Sequence, residues 1–269
     1  MSVQVSVITA CHNHGIYLDE MVASVQVALR GISYEHIIVN DGSTDPFTLE
    51  RLKALSQEGV LVLTQSNQGL GAARNTGIKK ASGEFIWPLD SDNKLCPDFA
   101  QQALSFFQQA PSIGVVYGDA LLFGERSGYS SVGPFNLQRL MLSNYIDACA
   151  LFRRSCWEKV GGYDEQRAIM MWSDWDFWLR LAFEGYRYQY VPMASFSYRV
   201  LSHSMVHGAN RDSYLKAAAY FYKKHESYLG DVYLFTRLHA LKVGLAKYAP
   251  RLYQLCIRLG LIKNPFSLW

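Results

Sequence analysis

Val3, Val5 and Val7 alternate with polar residues and run into Ile8, the period-two pattern of a half-buried strand ending near Thr9. Leu18, Met21, Val22, Val25 and Leu29 then recur at helical spacing, and Gly31 supplies a stop. The same succession continues down the chain. Residues 36–40 predict a second strand. Asp45 before Pro46 predicts a helix start, with Asp45 as N-cap and proline at the first helical position, and Leu49, Leu52 and Leu55 carry that helix on. Residues 60–64 predict a third strand, Gly69 and Gly71 open a helix to residue 81, and residues 84–89 predict a fourth strand. A helix from Pro97 to Phe107 and a strand over 114–118 complete the series.

Strands alternating with helices argue for a mostly parallel sheet flanked by helices, an α/β fold of Rossmann-like type. The pattern changes after Asp119. Residues 124–136 are rich in Gly and Ser and read as loop, 174–183 as an aromatic-rich helix, 186–191 as a strand, and the chain from 212 onward as helices. There is no internal repeat and no low-complexity segment.

A chain of 269 residues buries enough apolar surface to fold without staples. Its formal net charge of +3 is too mild to argue for nucleic acid. Five cysteines, odd in number, widely spaced and without a CxxC pair, fit neither a disulfide framework nor a zinc site and favour a reducing compartment. The first residues lack a basic stretch followed by an apolar run, and no apolar run reaches the ~20 residues of a membrane span. The expected location is cytoplasmic, including the inner face of the membrane.

The chemistry concentrates where predicted strands end. The apolar fourth strand runs into Leu89-Asp-Ser-Asp92. Carboxylates at the C-terminal end of a buried strand sit where open α/β sheets bind ligands, and two of them one residue apart favour a divalent cation. The competing reading is a solvated turn, since Asp-Ser-Asp-Asn is good turn chemistry. Asp41, in Asn40-Asp-Gly-Ser-Thr-Asp45, follows the second strand on the same edge, and taken alone it reads as a turn or cap residue. Gly69-Leu-Gly-Ala-Ala-Arg74 invites a dinucleotide reading, but Arg74 stands where that motif needs a small residue. Arg74 is expected to face a base or phosphate, or else to be a surface cation.

Six motifs occur in order: Val5-Ser-Val-Ile-Thr-Ala-Cys-His-Asn13, Asn40-Asp-Gly-Ser-Thr-Asp45, Asn67-Gln-Gly-Leu-Gly-Ala-Ala-Arg-Asn-Thr-Gly77, Leu89-Asp-Ser-Asp92, Gly161-Gly-Tyr-Asp-Glu165 and Asp174-Trp-Asp-Phe-Trp-Leu-Arg180. Together they resemble the family 2 glycosyltransferases of the GT-A fold over residues 3–205. The resemblance implies inverting transfer of a sugar from a nucleotide-diphosphate donor, most often a UDP-sugar, with Mn²⁺ or Mg²⁺. It places Thr9 and Asn13 at the nucleoside, Asp41 on the base with Arg74 near it, and Asp90 toward the ribose and metal. It makes Asp92 the direct metal ligand and Asp174 the general base.

Asp176, two residues beyond the base, points elsewhere on a helix and reads as structural. Trp175 and Trp178 read as core, and Trp172 as a residue able to stack on a sugar. The family's glutamate before the base is Ser173 here, and its aromatic after the first strand is His12. Its metal-side histidine falls on Leu201, leaving His203, with His207 behind it, as the remaining candidates.

These readings imply a nucleotide-sugar-binding half over 1–118, an acceptor-binding half over 119–210 and a C-terminal helical extension over 211–269. The acceptor is a saccharide or lipid-linked saccharide, as in cell-surface polysaccharide or glycolipid synthesis. Residues 231–269 carry six Lys or Arg and one acid, with Leu234, Leu238, Leu241 and Leu245 forming a stripe. That pattern suits a membrane surface, a homodimer contact or packing on the catalytic domain. Two other readings stay open: a sugar nucleotidyltransferase, and a non-catalytic nucleotide-sugar-binding module on the same fold.

Overall fold

The computed structural model describes residues 3–201 and 211–229. The chain divides into two compact units, 1–217 and 218–269, and the sheet belongs to the first. The predicted alternation appears as β1 (Val5–Cys11), α1 (Leu18–Ala28), β2 (Tyr34–Asp41), α2 (Pro46–Gln57), β3 (Leu61–Gln65), α3 (Leu70–Lys80), β4 (Phe85–Pro88), β5 (Lys94–Leu95) and α4 (Phe99–Gln109). Then follow β6 (Ile113–Gly124), β7 (Gly128–Ser130), α5 (Leu137–Leu142), β8 (Leu151–Arg153), α6 (Arg154–Val160), α7 (Ser173–Phe183) and β9 (Arg187–Val200). Two further helices are α8 (Arg211–Lys224) and α9 (Glu226–Leu229).

The sheet has nine strands in the order β3-β2-β1-β4-β8-β6-β9-β5, with β7 paired to β6. From β3 to β4 all pairings are parallel. Beyond β4 the sheet is mixed, because β8 runs antiparallel to both β4 and β6 while β6 and β9 are parallel. Most positions of β1, β2 and β4 are buried on both faces of the parallel half, while β3 at its edge is partly exposed. Trp87, in β4 where the parallel half meets β8, is fully buried against Phe99 of α4.

Local chemistry fixes the helices. The Leu18, Met21, Val22, Val25 and Leu29 stripe is buried as its spacing requires. Asp45 caps α2 by accepting from the Thr48 N–H at 2.8 Å, with Pro46 at the first position. Such a cap contributes about 1 kcal/mol. Leu49 is the member of that stripe that stays exposed.

Three expectations change. The Gly/Ser-rich stretch expected as loop contains β7, which forms a hairpin with β6. The strand expected over 186–191 runs on to Val200: Pro192, which cannot donate to a ladder, sits at the register shift between the Tyr117–Tyr190 and Asp119–Ala194 pairs. The fourth helix begins at Phe99, not Pro97, after Asp98 in the left-handed region (φ 68°).

Candidate active site

Helix α3 links the two ends of the site. At its start, Gly69 (φ 97°) donates its N–H to Asp41 Oδ2 at 2.8 Å. Asp41 Oδ1 accepts from the Gln68 N–H and from Gln65 Nε2, both at 2.8 Å. Asp41 is thus a buried hub that fixes the β3–α3 connection at the end of β2. A Cβ on Gly71 would lie 2.4 Å from the Asp164 carbonyl, so the first turn of α3 is closed by protein. That closure removes the dinucleotide reading, which needs an open helix start at the pyrophosphate.

One turn on, Arg74 reaches the other end. It is 2 % exposed and donates to Asp90 Oδ1 at 2.7 Å. Its guanidinium lies 5.5 Å from the Tyr163 ring centre. Burial alone would lower its pKa, but Asp90, Tyr163 and Asp174 outweigh burial and raise it. Arg74 is therefore not a surface cation but a buried positive charge paired with Asp90.

The loop after β4 is a turn and also a carboxylate platform. Asn93 N–H donates to the Asp90 carbonyl, closing it. Arg199 of β9 clamps it from outside: its N–H donates to Asn93 Oδ1 at 2.9 Å and its Nε to the Asp92 carbonyl at 3.0 Å. Arg199 itself pairs with Glu20 and lies over the Tyr17 and Phe123 rings. Ser91 is buried and its hydroxyl bonds His14 Nδ1 at 2.9 Å. Burial, then the neighbouring Asp90 charge, pushes the Asp92 carboxyl up to about 7. Asp92 forms no ion pair among the described residues.

Across from this loop stands Asp174, in the first turn of α7, whose dipole favours its ionised form. Its Oδ1 accepts from the Trp175 N–H and its Oδ2 from Asn144 Nδ2, both at 2.8 Å. Burial raises its carboxyl to about 6, against the lowering effect of Arg74. Asp176 is fully buried and pairs with Arg180, which donates to the Val160 and Gly162 carbonyls. That network holds the Gly161-Gly-Tyr163 turn. Asn75 of α3 grips the same turn, accepting from the Tyr163 N–H and donating to its carbonyl, both at 2.8 Å. Trp175 and Trp178 are core residues, and their indole N–H groups donate to the Leu140 and Ile146 carbonyls. Trp172 is half-buried against the Trp175 and Tyr214 rings.

Two other expected positions have protein partners. Thr9 is fully buried, with its hydroxyl 3.0 Å from His36 Nε2 and 3.7 Å from Met21 Sδ. It falls in phase with Val5 and Val7 along β1, on one buried face of the strand. Asn13 (φ 56°) uses its side-chain oxygen to accept from the Thr44 and Asp45 N–H groups, stitching the loop after β1 to the loop after β2. His12, next to it, bonds the Asp41 carbonyl through Nδ1 at 3.0 Å. His203 and His207 lie outside the described residues.

The structure adds residues that the motifs do not single out. Asn144 and Asp147 come from the connection between α5 and β8, a stretch with no local sequence signal. Asp147 is partly exposed, and burial followed by the Asp90 charge pushes its carboxyl up to about 7. Tyr163 is 2 % exposed and its hydroxyl has no hydrogen-bond partner among the described residues. His14 and Tyr198 also line this region, with Tyr198 raised by burial and then by Asp147.

A parallel α/β half carrying carboxylates on its C-terminal edge, joined to a mixed half that supplies a facing carboxylate, is the GT-A type of fold. The profile of Glycosyl transferase family 2 matches residues 6–161, more than half of the chain, and the chain belongs to this family. It is 28% identical over 227 residues to the Bacillus subtilis (strain 168) protein "Uncharacterized glycosyltransferase YwdF", covering 79% of this chain and 81% of that one. It is 26% identical over 204 residues to the poly-beta-1,6-N-acetyl-D-glucosamine synthase of Staphylococcus aureus (strain COL), covering 71% of this chain but 48%, about half, of the synthase. Among solved structures, S. aureus TarS 1–349 in complex with UDP-GlcNAc superposes with a TM-score of 0.65 at 20% identity, over 80% of this chain and 64% of that one. That likeness establishes the shared fold. No described helix is long and apolar enough to cross a membrane.

Proposed function

We propose that this chain transfers a sugar, with inversion, from a nucleoside-diphosphate donor to a hydroxyl of a saccharide or lipid-linked saccharide. The donor is a UDP-sugar and the setting is cell-surface polysaccharide or glycolipid synthesis. The observation that carries the reading is Asp174: a carboxylate held by Asn144 and the Trp175 N–H, facing Arg74 and Asp90 across the cleft. The UDP-GlcNAc complex of TarS and the N-acetylglucosamine polymer made by the S. aureus synthase support a UDP-sugar donor.

Inversion requires one carboxylate to take the acceptor proton while the leaving group departs on the opposite side. Asp174 takes that proton at Oδ1 or Oδ2. Its carboxyl, pushed up to about 6, is ionised at neutral pH yet more basic than an ordinary aspartate. Arg74, held by Asp90, contributes fixed positive charge on the leaving-group side. Asp41 and the neighbouring Gln65, whose side-chain oxygen is buried without a partner, form the polar end for the base.

Among the described residues no three His, Cys, Asp or Glu side chains group closely enough to hold a metal alone. Asp92 and Asp90 nevertheless fit Mn²⁺ or Mg²⁺, since such ions are held by one or two carboxylates together with substrate phosphates. Asp92 is the better ligand, because Arg74 already occupies one oxygen of Asp90. When bound, the ion stabilises charge on the departing diphosphate. In this reading residues 1–118 bind the donor, 119–210 the acceptor, and 211–269 a membrane surface or a second copy.

A thermal-shift screen of nucleotide-sugars with and without Mn²⁺ tests the proposal. Stabilisation by UDP-sugars that EDTA abolishes is the expected result. Equal stabilisation with EDTA would remove the metal role, and no response to any nucleotide-sugar would remove the donor reading.

A further inference from the structure

Resting on that reading, we propose that Asp147 recognises the transferred sugar, accepting hydrogen bonds from its ring hydroxyls and so setting donor-sugar specificity. In an in-line displacement the sugar ring lies between the leaving diphosphate and the acceptor hydroxyl. Here those two sides are marked by Asp90, paired with Arg74, and by Asp174. Asn144, three residues before Asp147, donates to Asp174 at 2.8 Å, and Cys149, two residues after it, accepts from Trp87 of β4, the strand that leads to Asp90. The segment bearing Asp147 therefore runs from the base to the leaving-group side, and its charge is felt by Asp90, Asp174 and Arg74.

The residue is built rigidly. Asp147 Oδ1 accepts from the Cys149 N–H at 2.8 Å. The flanking backbone is anchored on both sides by indoles: Trp178 donates to the Ile146 carbonyl at 3.1 Å and Trp87 to the Cys149 carbonyl at 3.3 Å. Oδ2 has no protein partner, and no Lys or Arg pairs with Asp147 among the described residues. A fixed carboxylate oxygen without a cation, in the field of two other carboxylates, calls for neutral donors, and a hexose offers hydroxyls in a row.

The other carboxylates of the acceptor side are already engaged. Ser173 replaces a carboxylate next to the base, is 1 % exposed and donates to the Met170 carbonyl. Asp176 is spent on Arg180. A second, independent sign of a missing ligand is Tyr163: the residue is 2 % exposed, its ring lies 5.5 Å from the Arg74 guanidinium, and its buried hydroxyl has no hydrogen-bond partner among the described residues.

The test compares UDP with UDP-GlcNAc, UDP-glucose and UDP-galactose by isothermal titration calorimetry, all with Mn²⁺, in the wild-type chain, Asp147→Asn and Asp147→Ser. The expected result is unchanged UDP affinity in both variants. The preferred UDP-hexose should lose about tenfold or more in affinity, as for loss of hydrogen bonds to a charged group. The preference between the glucose and galactose epimers should shrink with it. Parallel loss of UDP and UDP-hexose would make Asp147 a scaffold or metal-side residue and overturn the inference, as would unchanged UDP-hexose affinity in folded variants. A wild-type chain that binds neither UDP nor any UDP-hexose would instead overturn the donor reading beneath it.

Discussion

The two ends of the site present aspartates in opposite states. Asp41 accepts three hydrogen bonds, from Gln65, Gln68 and Gly69. Asp92, Asp147 and Asp174 are pushed upward in pKa by burial, and Asp92 and Asp147 carry no ion pair. A carboxylate saturated by backbone N–H groups holds a loop in place. A carboxylate that is desolvated and incompletely paired is destabilising on its own and gains when a proton, cation or ligand arrives. In the proposed reading the first end is scaffold for the base and the second carries the chemistry.

The largest effect should come from Asp174→Asn. Loss of a general base lowers turnover by about 10²–10⁴, while UDP binding by calorimetry stays the same. If transfer survives, the second end does not do the chemistry. Next, Asp92→Asn should weaken Mn²⁺-dependent UDP binding by about a hundredfold, leaving a UDP titration that no longer responds to EDTA.

The pH dependence follows the same division. Asp174, at about 6, must be ionised to act, so turnover should fall as pH drops through about 6. Asp92, at about 7, must lose its proton to bind a cation, so the thermal shift from Mn²⁺ should shrink as pH falls below about 7. The smallest effect, on stability, separates the two ends most directly. Asp41→Ala orphans the Gln68 and Gly69 N–H groups and should cost about 2–3 kcal/mol, read by urea denaturation. Asp174→Asn should leave stability unchanged or higher at pH 8. The folded pKa of Asp174 lies above its unfolded value, so the ionised carboxylate disfavours folding there, and the amide removes that term.

The parallel half of the sheet was legible because its strands are short apolar or alternating stretches that recur between helical patterns. The mixed half was not. Leu151–Arg153 is three residues long, and Pro192 masks a strand that simply bulges around it. In the site, Asp90, Asp92 and Asp174 could be found because a strand end or helix start marks each. Asn144 and Asp147 could not, because their positions depend on Trp87, Trp175 and Trp178 closing from other elements. The burial of Thr9 follows from alternation alone, since it falls in phase with Val5 and Val7. Arg74 shows the reverse: its buried pairing with Asp90 spans 16 residues and no local pattern predicts it.

The Arg199 clamp has a consequence for binding rates. It joins the end of β9 to both Asp92 and Asn93, so the turn bearing the carboxylates is ordered before any donor arrives. The entropy of fixing that turn is lost during folding and not at encounter. Donor capture should then depend on diffusion and charge, with little induced fit, and Arg199→Ala should slow association more than it speeds release in stopped-flow binding of a fluorescent UDP analogue.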